Sequence, residues 1–168
     1  MTTSPSAPSS PDSERLAALA ATVRETERHV ASAGWNGPAR VFALVELATA
    51  LQQQPELAFL VSADDGGYLA VEQEDLPAAD DLEGLLGQLA WPENVDGAAV
   101  VVERLVLPPD AEAEVARAEV ANEAELAQEL AHHPEARDVR IAVGVLRTGE
   151  SWCAVRARSH DHDEDVLG

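Results

Sequence analysis

Four residues near the C-terminus, Arg140, Trp152, Arg156 and Arg158, carry the chemistry that this sequence most readily suggests. Asp138–Arg147 and Ser151–Arg158 read as two strands of a hairpin. A two-residue Thr148-Gly149 turn would force Thr into positive φ, so a three-residue loop Arg147-Thr148-Gly149 with Gly in the left-handed position is expected. In that register Val139, Ile141, Val143, Val145, Cys153, Val155 and Ala157 share one face, expected to be core. The other face carries Arg140, Ala142, Gly144, Leu146, Trp152, Ala154 and Arg156, with Trp152 opposite Gly144 and able to cover it. Small residues there would leave a trough with Trp152 as a wall and Arg140 and Arg156 at one end, and Arg158 could join them. Such a group could capture a carboxylate or a phosphate. The alternative is that a helix packs on the small residues while the arginines pair with Glu103 or nearby acids. Trp35, in Gly34-Trp35-Asn36-Gly37-Pro38, is a further candidate, either in a recognition loop or as an anchor between helices.

Other reactive groups are weaker candidates. His160-Asp161-His162-Asp163 has His at i and i+2, and His160, His162 and Asp163 could ligate a metal. At a chain end, however, no second shell would orient them. Cys153 faces the expected core, where a thiol is an inert small hydrophobe rather than a nucleophile. A small-ligand or metal-dependent enzyme using the His/Asp cluster and Cys153 is therefore the alternative reading. Glu46 and Glu103 sit in apolar segments, as general acids do, but structural roles fit them better. His132-His133-Pro134 closes a helix, where a cation suits the dipole. The sequence contains no phosphate loop, dinucleotide fingerprint, zinc spacing or nucleophile elbow, and no cofactor is expected.

These residues need a scaffold, and Gly97–Leu107 organises it. This β-branched run lies between Trp91-Pro92 and Pro108-Pro109 and reads as a strand sheltered on both faces, the centre of a mixed sheet. Residues 1–11 are Ser, Pro, Thr and Ala after the initial Met, and are expected to be disordered. Asp12 or Ser13 should cap a first helix ending at Gly34, with Leu16, Leu19, Val23 and Val30 on one face. A second helix is expected from Pro38 to Gln53, apolar around most of its circumference. Leu57–Val61 is a strand or a helical turn, Asp64–Gly67 a turn, and Tyr68–Glu74 a short edge strand. Leu82, Leu85, Leu86 and Leu89 make a stripe on a third helix capped by Asp80 or Asp81. Residues 110–121 are a solvated helix or a loop, and Asn122 starts a helix running to about His132. The hairpin's second strand could lie antiparallel to the central strand, or its first parallel to it. Together these give one α+β domain over residues 12–158, followed by an acidic flexible tail at 159–168.

Composition narrows the classes of function. The chain has 168 residues, a net charge of −20, no Lys, and 4% aromatic residues, so Val, Leu and Ala must fill the core. Residues 1–91 and 92–168 each carry −10, so the acidity is spread along the chain, and binding to nucleic acid or anionic membranes is disfavoured. The lone cysteine, the lack of a signal-peptide pattern and the absence of a long apolar run point to the cytoplasm and argue against membrane insertion. A non-enzymatic binding or adaptor protein, acting on a protein partner or as a homodimer through the Arg/Trp face, fits best.

Several phrases carry a resemblance. They are Gly34-Trp35-Asn36-Gly37-Pro38-Ala39-Arg40-Val41-Phe42-Ala43-Leu44-Val45, Val71–Pro77, Trp91–Pro109, Val139–Arg147 and Cys153–Asp161, in that order. In these the chain resembles an uncharacterised family of small, acidic actinobacterial proteins without established activity. Members carry Asp-Gln where this chain has Asn36-Gly37, and they continue past Val166-Leu167 with a further helix. If that helix covers the Arg/Trp face in relatives, the resemblance implies a bare face here. It also implies a non-enzymatic cytoplasmic protein.

Overall fold

A computed structural model describes residues 10–59, 61, 67–117 and 122–168. The N-terminal residues 1–9 and most of the Asp64–Gly67 turn therefore lie outside the described residues.

The fold is α+β, built on one five-stranded sheet in which every pairing is antiparallel. The strands are β1 (Arg40–Glu46), β2 (Tyr68–Glu72), β3 (Gly97–Val106), β4 (Arg137–Leu146) and β5 (Ser151–Ala157), in the order β2-β1-β3-β4-β5. The valine-rich run is the middle strand, as its composition requires. The helices are α1 (Pro11–Ala31), α2 (Leu47–Gln53), α3 (Leu82–Gln88), α4 (Pro109–Arg117) and α5 (Glu123–His132). A 3₁₀ turn occupies Pro55–Phe59.

The expected helix over 38–53 is a strand in its first half. Arg40–Glu46 has a nearly continuous buried stretch, Val41 to Leu44, because β1 is sandwiched between β2 and β3 and covered on both faces. An apolar run without alternation is what such a strand shows, and all-round apolarity imitates a buried helix. Only Leu47–Gln53 is helical. Neither placement considered for the hairpin is adopted: its first strand lies antiparallel to β3. Helices α4 and α5 form an excursion whose two ends meet again at the pair Val106–Arg137.

Helix α1 begins at Pro11 and is capped by Ser10, whose hydroxyl accepts from the Ser13 backbone N–H at 3.3 Å, rather than by Asp12 or Ser13. Pro at the first helical position gives up an N–H that has no partner there in any case. The helix lies across β4 and β5, with Leu19, Val23 and Val30 in one core with Phe42, Leu44, Ala99, Val101, Ala142, Leu146 and Ala154.

The core therefore lies on the face opposite to the one expected. Ala142, Gly144 and Ala154 are small because α1 sits on them, while Val143 and Val145 remain 37% and 47% exposed and Cys153 is exposed. On that second face Val41, Val102 and Val139 are buried; Leu85 of α3 and Ala111 and Val115 of α4 are buried too. The hairpin register agrees with expectation: Gly144 pairs with Trp152, and Gly149 at φ 106° ends the three-residue loop. Val23 and Leu19, not Trp152, lie closest to where a Cβ on Gly144 would be.

The loop also ties the hairpin to α1. Arg15 Nε donates to Glu150 Oε1 at 2.7 Å, and the Thr148 hydroxyl donates to the same carboxylate. The Thr148 bond and then Arg15 hold the Glu150 carboxyl down at about 2, against 4.5 in an unfolded chain. A depressed carboxylate pKa favours the folded state above the unfolded value and loses that contribution as pH falls through the folded one. The stability advantage of wild type over Glu150→Gln, from urea midpoints, should therefore hold above pH 4.5 and shrink towards pH 2.

Candidate functional site

The residues expected to capture an anion are instead joined to one another. Arg140 and Arg156 are 0% and 2% exposed, and Glu27, on the inner side of α1, is 1% exposed. Arg156 grips Glu27 with two bonds of 2.7 Å, Nε to Oε1 and Nη2 to Oε2, the paired geometry in which a guanidinium fits a carboxylate best. Arg140 reaches Glu27 at 3.5 Å and Glu103 at 3.1 Å, and donates to the Gly34 carbonyl. These two acids and a carbonyl thus compensate charges that could not otherwise leave water. The helix-packed, acid-paired arrangement is the one adopted, so the trough is filled rather than bare.

Trp35 and Arg158 belong to the same cluster. The Arg140 guanidinium lies 4.3 Å from the centre of the Trp35 ring and that of Arg158 lies 5.6 Å away. Trp35 Nε1 donates to Asp161 at 2.8 Å, and Arg158 donates to Asn36 at 3.2 Å. Trp152 stands apart, with Arg24 4.6 Å from its ring. The structure thus brings four of the five expected residues together, but around acids of the chain itself.

The acidic segment 159–168, expected as a flexible tail, is laid along β5. Arg156 donates to Asp163 at 2.7 Å and to Asp161 at 3.3 Å, and Val155 and Leu167 exchange backbone bonds of 2.8 and 2.9 Å. The bond from Arg156 lowers the Asp163 carboxyl pKa, and the carboxylates raise that of the guanidinium. Asp163 is therefore a counter-ion, while His160 bonds its neighbour Ser159 at 3.0 Å. Among the described residues, no group of three or more His, Cys, Asp or Glu is placed to hold a metal ion.

Sequence reasoning missed Glu27. It falls on the α1 face that carries Leu19, Val23 and Val30, and a lone acid on an apolar stripe signals a buried partner.

A concavity lies elsewhere, between α1, β1, β2 and the 3₁₀ turn. It holds about 400 Å³, within the range of small-molecule sites. Phe42, Leu47, Leu57, Val61, Leu69 and Ala70 give it an apolar lining, and Thr22, Glu25, Thr26 and His29 line it from four positions on one face of α1. Glu72 completes the polar side and is held by Arg40 through two bonds of 2.6 Å, which lower its pKa and raise that of the guanidinium. A second cleft of about 290 Å³ lies beyond that ion pair, lined by Arg140, Glu103, Gly34 and Val101. Arg140 Nε is buried there without a hydrogen-bond partner among the described residues.

A single antiparallel sheet, a long helix across one face pinned by buried ion pairs, and a cleft beside that helix define a small α+β protein. The chain belongs to the PPA1309-like protein family, whose model matches residues 19–168. That match begins at Leu19, a residue of the helix–sheet core. No curated protein and no solved structure matches the chain.

Proposed function

We propose that this is a non-enzymatic binding protein that takes a small ligand into the cleft between α1 and the β1–β2 edge of the sheet. The observation that carries this reading is the largely apolar cavity of about 400 Å³, bordered by polar residues of α1 and of β2. Its acids also support binding over catalysis, because Glu72 is engaged by Arg40, and Glu25 is bonded by Arg28 at 2.7 Å. The exposed free thiol of Cys153 suits a reducing compartment such as the cytoplasm.

An adaptor role, with a protein partner or a second copy of the chain, is favoured by Val143 and Val145 on the open sheet face. Two such uncharged patches could meet without burying charge, whereas the rest of a surface at −20 repels its like.

Nile red, a neutral apolar dye, separates the two. The folded protein should bind it saturably, and Ala70→Leu, which fills the cleft, should weaken binding tenfold or more, while Val145→Glu leaves it unchanged. Loss of binding with Val145→Glu instead would move the site to the sheet face. An absence of saturable binding to the wild type would overturn the cleft reading.

A further inference from the structure

We infer that the α1–β1–β2 cleft selects cations: its ligand class is an amine carried on an apolar body. This rests on the cleft being a binding site and adds which chemistry it accepts.

The inference follows from where the protons already are. Thr22 and Thr26 are each 3% exposed and both line the cleft. The Thr22 hydroxyl donates to the Ala18 carbonyl at 2.9 Å, and the Thr26 hydroxyl donates to the Thr22 carbonyl at 2.8 Å. A hydroxyl has one proton and two lone pairs, so with those protons committed both oxygens can offer a ligand only acceptance. Glu25 and Glu72 are carboxylates, which accept and do not donate.

Of the remaining polar lining groups, His29 lies with Nε2 3.3 Å from Arg40 Nη2. A hydrogen bond there needs the tautomer in which Nε2 accepts, and that tautomer leaves the N–H of the other ring nitrogen to give. The Tyr68 phenol is the other potential donor in the lining. Arg28 and Arg40 bond Glu25 and Glu72 but do not line this cleft.

Four acceptor side chains thus line the cleft against two residues that can donate, His29 and Tyr68, and both carboxylates in the lining are negative. A ligand carboxylate would meet two carboxylates and two spent hydroxyls. An ammonium would meet acceptors for each of its protons, while its hydrocarbon part packed on Phe42, Leu57, Val61 and Ala70. The net charge of −20 draws cations towards the protein in general, but this long-range field is screened by salt and has no specific address.

Displacement of Nile red by octylamine, octan-1-ol and sodium octanoate at pH 7 tests the inference, since all three share one chain length. Octylamine should displace the dye at a concentration at least tenfold below that needed with octanoate, with the alcohol between them. Glu25→Gln combined with Thr26→Val should reduce that preference at least threefold while changing net charge by only one. Equal or tighter binding of octanoate overturns the cation preference and leaves the cleft reading intact. A preference that survives the double substitution assigns it to the general field and overturns the inference likewise. If none of the three displaces the dye, and Ala70→Leu does not weaken dye binding, the cleft reading itself fails.

Discussion

Replacing Glu27 with leucine is expected to destabilise the protein by about 3–5 kcal/mol, the usual cost of removing one member of a buried ion pair. The cost comes from what is left behind. Arg156 loses two 2.7 Å bonds, Arg140 loses its contact at 3.5 Å, and neither guanidinium can turn to water, since both are almost wholly buried. Arg156 keeps Asp163 and Asp161, and Arg140 keeps Glu103 and the Gly34 carbonyl, so the charges are undercompensated rather than bare. A second substitution separates this from simple loss of packing. In Glu27→Leu with Arg156→Met both members of the paired contact are gone, and most of the lost stability should return, because well-packed apolar replacements of buried ion pairs are often neutral. Urea midpoints of the two variants and the wild type measure this. If the double variant is weaker than the single one, Arg156 holds the fold through Asp163 and Asp161 rather than through Glu27.

The same residues explain how much of the molecule could be read in advance. Gly97–Val106 as the central strand, the helix caps at Asp81 and Asn122, the hairpin register and the Gly149 loop all follow from local rules. Turn chemistry, caps and β-branched runs act within a few residues, so the sequence displays them directly. Which face of the hairpin is inside is a tertiary choice. Valines on one side and small residues with arginines on the other invite the valine face to be core, yet α1 takes the small face because its own Leu19 and Val23 fit there. Burying Arg140 and Arg156 becomes possible only through Glu27, more than 100 positions away in the chain. No periodicity in the hairpin reports on that partner. The cleft was equally hidden, since Arg40–Glu46 read as helix would not have placed Phe42 opposite Thr22 and Thr26.

Gly144→Ala puts that helix–hairpin fit under the most direct strain. A Cβ at this position would lie 2.5 Å from Val23 Cγ2 and 2.9 Å from Leu19 Cδ1. Neither neighbour has room to yield: both are fully buried, and a valine in a helix is nearly fixed at χ1. Helix α1 must then lift from β4, which also stretches the Glu27–Arg156 bonds one to two turns further along. Alanine gains roughly 0.5–1 kcal/mol over glycine in a strand interior. Overpacking costs about 1–3 kcal/mol and wins, the more so because it strains the ion pairs. The expected result is a net loss of about 2 kcal/mol. Val23→Ala alone should cost a similar amount, through two lost methyl groups at about 0.8 kcal/mol each and the space they leave. In the double variant the new methyl occupies part of that space, so the losses should fall short of additive by 0.5 kcal/mol or more, about the lower limit for coupled contacts. Strict additivity in urea midpoints would mean that α1 does not rest on Gly144. Because Thr22 and Thr26 ride on the same helix, Gly144→Ala should also weaken Nile red binding in the cleft, and Val23→Ala should restore it. That outcome would link the packing of α1 on the hairpin to the geometry of the proposed site.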